Sequence, residues 1–107
     1  LHTLGAIIED SIEIVEGLYW GGNIETVNKL SELKILNDQN IRFFLGYAGW
    51  QAGQLEDELD KNNWAVLEPD NIDFFKVPSA FLWEYTVSKL GDDYKFWASL
   101  PYDPMLN

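Results

Sequence analysis

Few residues in this 107-residue sequence have side chains suited to chemistry. His2 is the one imidazole, and there is no cysteine. Acid–base work by a histidine needs a nucleophile or a carboxylate set beside it. His2 stands instead between Leu1 and Leu4, near apolar residues, which points to a structural place in the fold. No G-x-S-x-G segment is present, so a serine nucleophile elbow is not encoded. Without cysteine there is neither a thiolate nucleophile nor a zinc–thiolate site. The sequence nominates no catalytic residue and no cofactor.

Two acidic pairs, Glu9/Asp10 and Asp92/Asp93, have the right chemistry for a hard cation. Neither has the alternating carboxylate spacing of a calcium loop. Adjacent side chains point apart on a helix or strand. They read as solvated surface or helix caps, and no metal site is expected.

The glycine-rich stretch Gly46-Tyr47-Ala48-Gly49-Trp50-Gln51-Ala52-Gly53, with Gln54 behind it, is the most distinctive constellation. It lies between an apolar run and a helical pattern, and free N–H groups at a helix start attract anions. The spacing matches neither the dinucleotide nor the P-loop fingerprint. The next residues carry Glu56, Asp57, Glu58 and Asp60, which oppose a phosphate. The favoured reading is packing, with glycines letting helix press on sheet while Tyr47 and Trp50 fill space. An anion or small-molecule pocket is the alternative. The acidic set itself reads as the wet face of an amphipathic helix, or as a docking face for a basic protein partner.

Elements follow from the pattern around these residues. Ile12 to Val15 and Leu18 to Trp20 read as short strands broken by Gly17 and stopped by Gly21-Gly22. Asn23 is an N-cap for a helix over about 24–33, with Ile24, Val27 and Leu30 at helical spacing. Ile41 to Tyr47 reads as a strand buried on both faces. Gln54 to Asn62 reads as a second helix, and Trp64 to Leu67 as a further strand. A turn at Glu68 to Asn71 and an extended run over Ile72 to Val77 follow. Pro78 starts a third helix over about 79–90, with Gly91 beyond its end. Asp92 or Asp93 caps a last short helix through Ser99. The Pro-containing tail reads as laid over a surface.

Eighteen acidic against seven basic residues give a formal charge of −11. That disfavours direct nucleic-acid binding, whose affinity comes from clustered Lys and Arg. The five Trp, five Tyr and six Phe fall mostly late in the chain, where only Lys76, Lys89 and Lys95 stand among them against Asp73, Glu84, Asp92, Asp93 and Asp103, so they read as core. No apolar run approaches the roughly 20 residues of a membrane helix. The length fits one compact domain. The opening residues read as the middle of a fold, and we expect an N-terminal truncation.

Several segments together resemble the AlgH/YqgE family of bacterial proteins. They are Leu1-His2-Thr3-Leu4-Gly5, Gly17 to Gly22, Ile41 to Trp50, Gly53-Gln54-Leu55-Glu56 with Trp64, and Asp103-Pro104 before Leu106-Asn107. The resemblance implies an α+β fold, a bent mixed β-sheet approaching a pseudo-barrel, with about three to four flanking helices. It implies a longer chain, of which this is the C-terminal portion. The family is commonly labelled as transcriptional regulators and offers no catalytic residues to carry over. Some members have Ser where this chain has Ala48, so a loop hydroxyl is missing at that position. The expectation is a cytoplasmic, non-enzymatic regulator acting through protein contacts. Self-association would run through surface left open by the missing part.

Overall fold

A computed structural model describes residues 1–68 and 73–100. The turn expected over Glu68 to Asn71 falls largely outside these residues, as does the tail after Leu100. Two compact units emerge. The first holds Leu1–Leu45 and Asp73–Lys76, the second Gly46–Ile72 and Val77–Asn107.

In the first unit, β1 (Ile12–Val15) and β2 (Leu18–Trp20) form an antiparallel hairpin. Ile12 faces Trp20, Glu13 faces Tyr19 and Val15 faces Leu18, with an irregularity between Glu13 and Val15. Gly17 takes φ 82° in the connection, a conformation that costs glycine little because it has no Cβ. The hairpin continues sideways through single residues. His2 N–H donates to Tyr19 O at 2.9 Å and Tyr19 N–H returns to His2 O at 2.8 Å. On its other side His2 bridges Ile41, flanked by Thr3 N–H to Asn40 O at 3.0 Å and Arg42 N–H to Leu1 O at 2.8 Å. All these pairings are antiparallel.

The expected strand over 41–47 is therefore corrected: only Ile41 is bridged, and the stretch that follows has no secondary structure. A strand is held by its neighbour's main chain, and the bonds made by Leu1 and Thr3 reach no further than Arg42. Among the described residues, Phe43 to Trp50 make no main-chain hydrogen bond. The extended run expected over 72–77 is likewise a turn at Phe74 to Lys76, where Lys76 N–H caps onto Asp73 Oδ1 at 3.2 Å.

Helix α1 (Ile24–Glu32) begins where the sequence places it. Asn23 Oδ1 accepts from Glu25 and Thr26 N–H at 2.9 and 3.1 Å. Thr26 Oγ1 donates to Glu9 Oε2 at 2.6 Å, so half of the first acidic pair is engaged at the helix start. Leu30 in α1 is buried, as are Ile8, Leu18, Ile41 and His2 in the same unit.

The second unit contains α2 (Gln54–Asp60), a 3-10 turn (Ser79–Phe81) leading into α3 (Leu82–Ser88), and a 3-10 helix (Asp92–Ser99). Pro78 precedes the 3-10 turn as its cap. Gly91, at φ 96°, starts the last helix. Asp92 pairs with Lys95 at 2.9 Å and does not cap. Trp83 stacks on Trp97 with centroids 6.4 Å apart and planes 4° off parallel. Its indole N–H donates to Trp97 O at 3.1 Å, joining α3 to the last helix. The strand expected over 64–67 is absent, and no strand occurs among the described residues of this unit. The observed sheet is two-stranded and open. Among the described residues, no helix is long and apolar enough to cross a membrane.

Candidate functional site

His2 is nearly completely buried. Leu4 N–H donates to His2 Nδ1 at 3.1 Å, which leaves the ring proton on Nε2. Nε2–H donates to Gly21 O at 2.9 Å. Ser11 Oγ lies 3.2 Å from Nε2, but its own hydrogen goes to Ile8 O at 2.6 Å. A nucleophile–base pair needs the opposite polarity, with the imidazole accepting from the hydroxyl. His2 thus ties the segment of Leu1 to Thr3 to Gly21 and stacks on Tyr19, in line with the structural place expected for it.

The glycine loop is built differently from the expectation. In the second unit, a Cβ at Gly46, Gly49 or Gly53 would meet nothing within 4 Å among the described residues. The glycines are not pressed against a neighbour, because the described residues of that unit hold no strand for α2 to lie on. Gly46 at φ 99° and Gly53 at φ 80° are required by backbone conformation instead. Tyr47 is fully exposed and fills no space. Trp50 does pack: it meets Trp64 edge-on at 5.6 Å. Both indole N–H groups donate to Glu58 Oε2, at 3.2 Å from Trp50 and 2.5 Å from Trp64. Gln54 Nε2 donates to Glu58 Oε1 at 2.9 Å, and Gln54 Oε1 accepts Gln51 N–H at 3.0 Å. The Trp64 indole first, then the Gln54 amide and the Trp50 indole, hold the Glu58 carboxyl below the ordinary glutamate range. Hydrogen bonds to the charged form favour it.

The acidic face is thus partly engaged. Glu58 closes the loop, and Asp57 pairs with Lys61 at 2.7 Å. Glu56 and Asp60 make no ion pair or side-chain hydrogen bond among the described residues.

Arg42 is a residue that sequence reasoning misses. It is about nine-tenths buried, and its Nε and Nη1 have no hydrogen-bond partner among the described residues. It lines a groove of about 490 Å³ formed entirely within the first unit. Trp20, Ile24 and Val27 form part of the wall, with Phe43, Phe44 and Phe74. The one available sequence cue is a lone guanidinium inside the otherwise apolar run from Ile41 to Leu45.

The architecture defines a small α+β chain whose first unit carries an apolar groove with one buried arginine. The chain belongs to the AlgH-like family, whose model matches residues 1–95. A "UPF0301 protein" of Chlorobaculum parvum is 39% identical over 107 residues, covering 100% of this chain and 57% of the relative. One of Cytophaga hutchinsonii is 40% identical over 102 residues, covering 95% of this chain and 56% of that protein. One of Chlorobium luteolum is 40% identical over 107 residues, with 100% and 57% covered. The chain spans little more than half the length of these curated relatives. No solved structure matches it.

Proposed function

We propose that this chain is a cytoplasmic regulatory module that works by protein–protein contact, in transcriptional control, without catalysis and without gripping DNA itself. The observation that supports this reading is the open edge after Arg42. Phe43, Phe44 and Leu45 are 74%, 57% and 106% exposed, and their main chain has no partner among the described residues. Unpaired strand-like edges recruit another strand. Exposed apolar groups beside such an edge favour a protein over a nucleic acid. The charge of −11 argues the same way.

The occupant we assign is a strand from a protein, and a second copy where this chain is alone. Pairing there extends the antiparallel series of β1, β2, His2 and Ile41 toward the bent, pseudo-barrel-like sheet of the family resemblance. Glu56 and Asp60 would steer a basic partner. Hydrogen exchange tests the reading. The amides of Phe43 to Tyr47 should exchange rapidly in dilute protein and become protected as concentration rises. Rapid exchange at every concentration contradicts it.

A further inference from the structure

We propose that the edge of Phe43 to Leu45 on the Leu1 side is the seat of this protein's own chain ahead of Leu1, paired antiparallel along it. The inference rests on the reading of Phe43 to Leu45 as an open edge, and it assigns one side of that edge. The ladder that carries the pairing is already running when it reaches Leu1. The Leu1 amino group donates to Arg42 O at 2.9 Å, and Arg42 N–H donates to Leu1 O at 2.8 Å. One step earlier His2 bridges Ile41, also antiparallel. Bonded and non-bonded residue pairs alternate along such a ladder. Leu1 with Arg42 is a bonded pair. The residue immediately ahead of Leu1 therefore falls opposite Phe43 as a non-bonded pair. The second residue ahead falls opposite Phe44 as a bonded pair, and the third opposite Leu45. Gly46, at φ 99°, leaves the extended region and ends the run.

The main chain supports this occupant. Arg42 turns both its N–H and its C=O toward Leu1. Successive residues of a strand alternate between its two edges. Carried on in extended form, Phe44 turns its pair toward the Leu1 side, while Phe43 and Leu45 turn theirs to the opposite edge. Among the described residues none of the three makes a main-chain hydrogen bond, and a further strand supplies what is missing. The Leu1 amino group adds a second observation. Burial holds it below its ordinary pKa, and a peptide N–H in its place makes the same bond to Arg42 O with no charge to desolvate. The third is length. The matched stretch is 57% of the Chlorobaculum parvum protein, so relatives have chain enough to supply a strand. A segment joined to Leu1 is already in line with the edge, which gives it a high effective concentration over any separate partner. The groups of Phe43 and Leu45 stay open on the opposite edge, and that is the edge left for another protein's strand.

The test uses the protein carrying its own residues ahead of Leu1, read by amide hydrogen exchange and nuclear Overhauser contacts. The Phe44 amide should exchange at least about 100-fold more slowly than an unstructured amide, even in dilute solution. The Hα of Phe43 should lie in close contact with the Hα of the residue immediately ahead of Leu1, as a non-bonded antiparallel pair requires. Phe43 and Leu45 amides report separately on the opposite edge. A fast Phe44 amide overturns the inference. So does a slow one without the Hα contact, which gives that side to a different segment. If Phe43 and Leu45 gain protection with concentration while Phe44 stays fast, the inference fails and the proposed function stands. If all three stay fast at every concentration, both fail. A reading frame that opens at Leu1 also overturns the inference.

Discussion

His2 lies flat against Tyr19, with ring centroids 5.8 Å apart and planes 13° from parallel, while their main chains exchange two hydrogen bonds. One residue thus joins β2 to the Ile41 segment and fills the space between them. Its two ring nitrogens serve main-chain groups of Leu4 and Gly21. His2→Ala removes the ring and leaves both groups unpaired. We expect a loss of about 2–4 kcal/mol in urea unfolding. A change below about 0.5 kcal/mol would mean that the ring does not hold these segments together.

Glycines divide into two kinds. At Gly22, φ is +113° and a Cβ would collide with Ile8 Cγ2, a buried core atom. Gly22→Ala should cost about 1–3 kcal/mol through overpacking, with backbone strain in addition. Gly49 has no described neighbour within 4 Å of an added Cβ, and Gly49→Ala should stay within about 0.5 kcal/mol. Paired urea midpoints check the contrast, and equal losses at the two positions contradict it.

What is legible in the sequence is local. Asn23 marks the start of α1, and Gly17 the break in the hairpin, because caps and turns are decided within a few residues. The strands expected at Ile41 to Tyr47 and Trp64 to Leu67 do not form, because a strand depends on a partner that its own residues do not encode. Gly46, Gly49 and Gly53 read as close-packing residues only on the strength of the strand expected before them, and that reading falls with the strand. Arg42 leaves only a faint cue in the sequence, because a single charged residue in an apolar run gains meaning only when its burial is known. Glu58 reads as one of four solvated acids, since nothing in spacing brings Trp50 and Trp64 together over it.

Glu58 carries the acid sensitivity of the loop before α2. Its folded carboxyl is held below the ordinary range by the Trp64, Gln54 and Trp50 donors. A depressed folded pKa adds stability that is complete above the unfolded value and disappears as pH falls through the folded one. The indole N–H resonances of Trp50 and Trp64 should therefore move together on acidification, at a midpoint below that of an ordinary glutamate. In Glu58→Gln this joint transition should be absent. Persistence of the transition in that variant would assign it to another group.

Tyr19 shows the converse effect on the hairpin. Its phenol is pushed up, first by the hydrogen bond to Glu13, then by that residue's charge and by burial. Glu13 faces it across the strands. Glu13→Gln should lower the Tyr19 titration midpoint followed by ultraviolet absorbance. An unchanged midpoint would separate the two side chains.

The claim that this chain works by lending an open sheet edge to another protein strand is tested most directly by sedimentation velocity of the unmodified chain beside a Phe44→Lys/Leu45→Lys variant. Lysine on an exposed edge blocks edge-to-edge pairing. We predict reversible, concentration-dependent association of the unmodified chain and a monomer at every concentration for the variant, with matching circular dichroism. A monomeric unmodified chain, or a variant that associates equally well, contradicts the claim.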